Sequence, residues 1–195
     1  MTMAVETRGL TLRYGEKTAL DNLSFALDGG KIYGLLGRNG SGKSSLLSVL
    51  AAFRKADAGE VLVGGEPVFE NPAITEQICL IRESVDVFER SATIESVLGF
   101  TSAIRPGWDA EYAGRLLDAF ELDPRQKVKD LSRGKQSALG AILGLASQAP
   151  LTMFDETYLG MDAPSRYCFY EELLADYIAH PRTMIVSTHL IEEVA

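Results

Sequence analysis

The sequence is organised around Gly37-Arg38-Asn39-Gly40-Ser41-Gly42-Lys43-Ser44. This stretch fits a phosphate-binding pattern, in which two glycines separated by four residues are followed by lysine and serine. Residues 31–36 are mostly apolar and predict a short buried strand, whereas residues 45–50 contain no helix breaker and predict the first turns of a helix. A strand, a glycine-rich loop and a helix in this order are the context in which the motif binds phosphate.

The residue types of this stretch suit a polyphosphate. Glycines allow consecutive backbone N–H groups to point inward as an anion nest, and the helix N-terminus adds partial positive charge. Lys43 would reach the β- and γ-phosphates, and the Ser44 hydroxyl would ligand Mg²⁺. The predicted nucleotide-binding residues here are Gly37, Asn39, Gly40, Ser41, Gly42, Lys43, Ser44 and Ser45. Kinases, GTPases and transport ATPases share such a loop, so the loop alone does not separate them.

Composition describes an acidic globular chain. The 195 residues favour one domain, and 46% hydrophobic with 24% charged residues indicates a soluble protein with a core. The net charge of −8 argues against a broad nucleic-acid surface. We expect neither a signal peptide nor a membrane span, because no leader pattern and no run of about 18 apolar residues occurs. Cys79 and Cys168 lie in apolar surroundings without a CxxC pattern, which is typical of core thiols in a reducing compartment.

Hydrophobic periodicity divides the chain into three parts. The first part predicts strands at residues 10–14, 19–27, 31–36 and 59–66. The middle part predicts helices at residues 93–103, 109–120 and 132–147. The last part predicts a strand at 151–154, a helix at 164–178 and a strand at 183–186. Because strands and helices alternate, we expect an α/β fold with a mostly parallel sheet.

Two acids follow the apolar run at residues 151–154. Asp155 and Glu156 would lie at the carboxyl edge of the parallel sheet, where ligands bind in such folds. Asp155 would hold the Mg²⁺ shell, and Glu156 is placed to polarise a water for attack on the γ-phosphate. A strand that simply ends in solvated acids is the alternative, and the phosphate-binding stretch favours the functional interpretation.

A third motif is Leu131-Ser132-Arg133-Gly134-Lys135, in which Ser132 is a good helix N-cap. An ordinary capped helix would account for it in isolation. Together with the other motifs, however, this pentapeptide resembles the LSGGQ signature of ABC-type ATPases. The resemblance extends over nearly the whole chain and is carried by several ordered motifs, so the sequence looks like an ABC transporter ATP-binding domain.

The resemblance implies a role for further residues. Tyr14 matches the aromatic residue whose ring stacks on adenine, and Glu83 falls where the family usually has the Gln that approaches Mg²⁺. Residues 37–44 match Walker A, and residues 159–162 match the D-loop. His189 matches the switch histidine. The implied catalytic residues are therefore Glu156, His189 and Lys43; the implied metal ligands are Ser44, Glu83 and Asp155; and Ser132 and Gly134 would touch the γ-phosphate.

The sequence departs from the family pattern at several of these positions. Glu83 is a carboxylate in place of a neutral amide, and Thr157 replaces a proline after the Walker B acids. Arg133 replaces the first signature glycine and Lys135 the Gln, and these two cations should favour a polyphosphate. The Leu-Ser-Arg-Gly variant, together with residues 106–109, resembles a bacterial branch often encoded beside GntR-type regulators. His180 is expected to be a surface residue without a role.

The resemblance implies an α/β P-loop NTPase with an N-terminal antiparallel β lobe, a mostly parallel core sheet and a helical insertion. The single ATP-binding domain, 1–195, would comprise a core lobe of about 1–82 and 149–195 and a helical subdomain of about 83–148. Its usual C-terminal end would be missing, because the family normally continues past the switch histidine.

The resemblance also implies ATP and Mg²⁺ as cofactors, and ATP hydrolysis coupled to transport at the inner face of the cell membrane. The implied partners are an integral membrane permease subunit and a second ATP-binding subunit, in a homodimer or a related heterodimer. No nucleic acid is expected. A non-transport ABC ATPase, a GTPase or small-molecule kinase, and a nucleotide-dependent regulator without turnover are the alternatives, although the chain has no Asn-Lys-x-Asp guanine pattern.

Overall fold

The computed structural model describes residues 2–82 and 91–189. The chain forms two compact units. The first comprises Met1–Leu80, Pro150–Asp155 and Pro181–Ala195, and the second comprises Ile81–Ala149 and Glu156–His180. No helix in the described part of the chain is both long enough and apolar enough to cross a bilayer.

The first unit begins with an antiparallel sheet of four strands in the order β2-β1-β4-β5. The strands are β1 (Val5–Tyr14), β2 (Lys17–Leu27), β4 (Ala58–Val63) and β5 (Glu66–Pro67), with β3 (Ile32–Leu36) between β2 and β4 in sequence. Val5, Leu10 and Leu12 of β1 are buried, as expected of a strand with one face on a core. A two-residue turn joins β1 to β2, since Tyr14 pairs with Lys17.

A second sheet has the order β3-β8-β7-β6, where β6 is Ile78–Ile81, β7 is Leu151–Asp155 and β8 is Thr183–Thr188. Strand β8 is parallel to both β3 and β7. Every residue of β7 and β8 is buried, which agrees with the apolar residues at the centre of each strand. The helix α1 (Lys43–Leu50) follows β3 and packs against β7, and the short helix α2 (Pro72–Thr75) precedes β6.

The second unit is helical. Its elements are α3 (Ile94–Ile104), α4 (Ala110–Ala119), the 3₁₀ helix Val128–Asp130, α5 (Arg133–Ala146) and α6 (Ala163–Ala179). Helix α5 packs against α3, α4 and α6, and all of its residues from Ser137 to Ala146 are buried. The predicted apolar face of α4, formed by Tyr112, Leu116, Leu117 and the capping Phe120, is buried as well.

The α/β fold with an antiparallel lobe and a parallel core sheet is confirmed, and the predicted helices and strands agree with the structure within a few residues. Strand β6 and helix α2 were not predicted, because each spans only four residues and shows no periodicity. The prediction that both cysteines are core thiols is wrong for Cys168, which is only partly buried, whereas Cys79 is buried.

Candidate functional site

Residues 37–44, the phosphate loop, connect β3 to α1 through a turn that depends on glycine. Gly40 and Gly42 have φ angles of 80° and 96°, in the left-handed region that other residues rarely adopt. A Cβ on Gly42 would lie 2.7 Å from the carbonyl oxygen of Ala19. The backbone N–H of Ser41 donates to the carbonyl of Arg38 at 3.1 Å and closes the turn.

The amino group of Lys43 lies against this turn. Its Nζ donates to the carbonyl oxygen of Gly37 at 2.7 Å and to that of Arg38 at 3.3 Å. The residue is only 7% exposed, and a buried ammonium group requires such partners. The loop backbone therefore holds one positive charge at a fixed place next to its own N–H groups.

The N-terminus of α1 adds to this positive potential. Gly42 is the N-cap and has no side chain to cap the first turn, and that turn contains no acidic residue. Uncapped N–H groups and the helix dipole together attract anions. Ser44 is exposed in the same turn, so its hydroxyl is accessible from solvent.

Asp155 ends β7 at the same edge of the sheet. In the strand register, Leu35 of β3 and Asp155 both pair with Ser187 of β8. The Ser187 hydroxyl donates to Asp155 Oδ1 at 2.7 Å, and Asp155 is only 7% exposed. Sequence reasoning had not assigned Ser187 this partner, which follows from the strand register.

His189 follows β8 directly and is half-buried. The backbone N–H of Gly37 donates to the carbonyl oxygen of Thr188 at 3.3 Å, so the start of the phosphate loop is tied to the residue before His189. The first unit thus brings the phosphate loop, Asp155 and His189 to one sheet edge.

These residues fit a nucleotide with magnesium. No group of three His, Cys, Asp or Glu side chains within residues 2–82 and 91–189 could hold a metal alone. Magnesium in proteins is commonly held by one or two carboxylates plus substrate phosphates, so Ser44, Asp155 and a bound polyphosphate would form a suitable ligand set. The predicted ligand Glu83 lies outside the described residues.

Glu156, the residue after Asp155, is the first residue of the second segment of the second unit, Glu156–His180. Its φ angle is 50°, a left-handed conformation that costs free energy for a residue with a Cβ. The Oγ1 of the next residue, Thr157, is buried and has no hydrogen-bond partner among the described residues. Backbone strain of this kind often occurs at functional positions, which agrees with the predicted role of Glu156.

Tyr14 is the last residue of β1 and is 41% exposed. Its hydroxyl lies 3.3 Å from the Oγ of Ser45 in the first turn of α1. The guanidinium carbon of Arg54 lies over the ring, 5.0 Å from its centroid. Sequence reasoning had not singled out Arg54, and no local pattern marks it.

The second unit contains the signature segment, residues 131–135. Ser132 caps α5 and accepts a hydrogen bond from the N–H of Lys135 at 3.3 Å. A Cβ on Gly134 would lie 2.6 Å from the carbonyl oxygen of Gly160, so glycine permits close approach of the two backbones. Gly160 in turn faces the side-chain stem of Arg133. The signature and the D-loop segment therefore pack together.

Two further positions complete the predicted set. Asp162 caps α6 by accepting from the N–H of Ser165 at 3.0 Å, and hydrogen bonds from Ser165 lower the pKa of its carboxyl group. His180 is exposed at the end of α6, as expected of a surface residue, and its Nδ1 lies 3.6 Å from Asp176 Oδ1.

The chain matches known proteins along most of its length. The model of the ABC transporter family matches residues 20–158. The ABC transporter ATP-binding protein YtrB of Bacillus subtilis is 26% identical over 97% of this chain and 65% of its own length. The Nod factor export ATP-binding protein I of Mesorhizobium japonicum is 30% identical over 98% of this chain and 58% of its own length.

Solved structures agree in fold. The ATP-binding subunit of an ABC transporter has a TM-score of 0.86 at 23% identity, covering 97% of this chain and 81% of that structure. A nucleotide-free ATP-binding cassette from an ABC transporter has a TM-score of 0.80 at 22% identity, covering 99% and 84%. The chain spans 56–65% of the length of the curated relatives that it matches. Its match to the family model extends over more than half of its residues, and the chain belongs to the ABC transporter family.

Proposed function

We propose that this chain is the ATP-binding and ATP-hydrolysing subunit of an ABC transporter, which couples hydrolysis to substrate movement by a separate membrane subunit. The observation that carries this proposal is the phosphate loop, which surrounds the Lys43 amino group at the same sheet edge as Asp155. Membership of the ABC transporter family supports it.

In this proposal the first unit binds the nucleotide. Backbone N–H groups of the phosphate loop and the start of α1 donate to the phosphates, and Lys43 neutralises the β- and γ-phosphates. The Tyr14 ring stacks on adenine. Ser44, Asp155 and Glu83 hold Mg²⁺, which when bound would offset charge on the phosphate oxygens.

Glu156 and His189 act on the reaction itself. The Glu156 carboxylate orients a water for in-line attack on the γ-phosphorus and takes up its proton, while the bond from the γ-phosphorus to the bridging oxygen breaks and ADP leaves. His189 donates to the γ-phosphate and keeps it in line with that water. Because phosphoryl transfer depends on positioning and electrostatics, small displacements of either group would slow it.

The proposal includes partners. Ser132 and Gly134 of one copy would cover the ATP held by the phosphate loop of another copy or a related subunit, with Arg133 and Lys135 adding positive charge. The chain would lie at the inner face of the cell membrane as one ATP-binding domain, with its helical insertion contacting a permease. The Leu-Ser-Arg-Gly signature supports placement in the bacterial branch encoded beside GntR-type regulators.

The test compares Glu156→Gln with Lys43→Ala. Glu156→Gln should bind ATP with unchanged affinity but hydrolyse it at least about a hundredfold more slowly, since the amide cannot act as a base. Lys43→Ala should weaken ATP binding itself. Isothermal titration with ATP and measurement of phosphate release would check both results. Unchanged turnover in Glu156→Gln would disprove its role, and an unchanged titration in Lys43→Ala would count against the phosphate loop.

A further inference from the structure

The Tyr14 ring is held by two side chains. The guanidinium of Arg54 lies 5.0 Å from the ring centroid, within the range of a cation–π contact. At the other end of the side chain, the Tyr14 hydroxyl lies 3.3 Å from Ser45 Oγ. The ring is therefore restrained at one face and at its tip.

Both restraints come from α1 and the turn that follows it. Ser45 is in the first turn of the helix, and Arg54 lies a few residues beyond its end. The N–H groups of Phe53 and Arg54 both donate to the carbonyl oxygen of Ser48, at 2.8 and 3.2 Å. The helix that begins at the phosphate loop thus fixes the backbone from which Arg54 reaches the ring.

Such restraint matters for the Tyr14 ring because the residue is partly exposed at the end of a strand. Tyr14 is the last residue of β1, the turn at Gly15 follows it, and 41% of the residue is exposed. An exposed side chain at the end of a strand loses rotamer freedom when it binds a ligand, and a ring held in advance loses less. The guanidinium lies over one face of the ring, so a flat aromatic group would have to stack on the other face.

We propose that Arg54 is a positioning residue, which holds the Tyr14 ring in place to stack on the nucleotide base. This inference rests on the proposed function, because it assumes that the phosphate loop binds a nucleoside triphosphate. Arg54 acts on the base through Tyr14 and makes no contribution to the phosphates. Arg54 should therefore raise the affinity for ligands that carry a base and should not change the affinity for inorganic tripolyphosphate.

A general effect of charge is the competing explanation, and Lys55 provides a matched control. Lys55 is the next residue, is also exposed, and places its Nζ 5.3 Å from the centroid of a different ring, Phe69. Lys55→Ala removes the same charge and the same kind of contact, but leaves Tyr14 untouched. Arg54→Met keeps most of the side-chain length without the charge.

The experiment measures the affinities of ATP and tripolyphosphate by titration calorimetry for the wild type and five variants. The variants are Arg54→Ala, Arg54→Met, Lys55→Ala, Tyr14→Ala and the double variant of Tyr14 and Arg54 to alanine. Arg54→Ala and Arg54→Met should weaken ATP by about two- to fivefold, the range of an exposed cation–π contact. Tripolyphosphate affinity should stay unchanged, and Lys55→Ala should behave like the wild type. In the Tyr14→Ala background, removing Arg54 should have no further effect.

Three results would overturn the proposal. Unchanged or tighter ATP binding in both Arg54 variants would mean that the guanidinium does not assist the ring or competes with the base. Equal losses for ATP and tripolyphosphate would mean that Arg54 acts only as a charge. Additive losses in the double variant would show that Arg54 does not act through Tyr14. Lys43→Ala tells a failure of this inference from a failure of the proposed function. If the phosphate loop does not bind the nucleotide, Lys43→Ala should leave the titrations with ATP and with tripolyphosphate unchanged.

Discussion

Two helices of this protein, α1 and α5, begin within short segments that contain glycine and serine, residues 37–44 and 131–135, and neither has an acid in its first turn. Their N-termini nevertheless differ. The N-cap of α1 is Gly42, in a left-handed conformation and without a side chain to cap the helix. The N-cap of α5 is Ser132, whose hydroxyl accepts a hydrogen bond from the N–H of Lys135. The N-cap residue of α1 therefore offers no side-chain acceptor to the first N–H groups of the helix. The N-cap residue of α5 accepts a hydrogen bond from one of them.

The lysines that follow the two caps differ in the same way. Lys43 is buried with its amino group against the phosphate-loop carbonyls, whereas Lys135 is exposed and reaches the carbonyl of Glu121 at 3.4 Å. Both glycines permit a close backbone approach, Gly42 to Ala19 and Gly134 to Gly160, but of the two only Gly42 also has a left-handed φ. The start of α1 therefore presents N–H groups and a buried ammonium group, as the proposed anion site requires, whereas the start of α5 is a capped helix packed against Gly160.

The largest expected effect comes from Gly42→Ala. An alanine would have to adopt the left-handed conformation of Gly42, which costs about 1–2 kcal/mol, and its Cβ would lie 2.7 Å from the carbonyl oxygen of Ala19. The free loop would relieve this strain by leaving its present conformation and would have to regain it to bind ATP, so ATP affinity should fall by about tenfold or more, a factor that corresponds to about 1.4 kcal/mol. Titration with ATP measures this loss.

Gly40→Ala is the control for backbone strain, since Gly40 also has a positive φ but a Cβ there would meet nothing within 4 Å. It should lose less affinity than Gly42→Ala. Equal losses in the two variants would show that the contact with β2 is irrelevant and that strain alone determines the effect.

Gly134→Ala should affect a different step. Its Cβ would lie 2.6 Å from the backbone oxygen of Gly160, so the D-loop segment must shift. ATP affinity of the single chain should stay within about twofold of the wild type, whereas phosphate release should fall about tenfold or more, because small displacements of catalytic parts are costly. Titration and a phosphate-release assay separate the two effects.

Gly114→Ala is the matched control within the second unit. Gly114 lies inside α4, and a Cβ there would meet nothing within 4 Å. This change should stabilise the protein by about 0.5–1 kcal/mol through helix propensity and leave phosphate release unchanged. A loss of ATP affinity in Gly134→Ala as large as that in Gly42→Ala would contradict the distinction between the two segments.

Much of this comparison could be predicted from sequence because its causes are local. The phosphate loop follows from Gly37, Gly42 and the neighbouring Lys43, and the cap of α5 follows from Ser132. The strands β7 and β8 were predicted because short, mostly apolar runs bounded by breakers are typical of buried strands. The fold class then followed from the alternation of strands and helices.

The remaining features depend on contacts between residues distant in sequence. The hydrogen bond from Ser187 to Asp155 exists because β7 and β8 pair in one register, which no local pattern specifies. The same holds for Arg54 over Tyr14 and for Gly134 against Gly160. The left-handed φ of Glu156 was also unexpected, since local propensity disfavours that conformation for a glutamate.

The smallest expected change in stability comes from Ser132, where three substitutions can separate capping from anion binding. Ser132→Ala should lower the free energy of unfolding by about 1 kcal/mol, Ser132→Gly by a few tenths, and Ser132→Asp hardly at all, because aspartate is an equally good N-cap. If Ser132 only caps α5, phosphate release should follow stability, and Ser132→Asp should be the most active variant. If Ser132 faces the γ-phosphate of an ATP held by another copy, the added negative charge should make Ser132→Asp the least active, although it is the most stable of the three. Denaturant unfolding and phosphate release, measured on the same preparations, decide between these two orders of activity. If Ser132→Asp released phosphate as fast as the wild type, Ser132 would only cap α5 and would not face an anion.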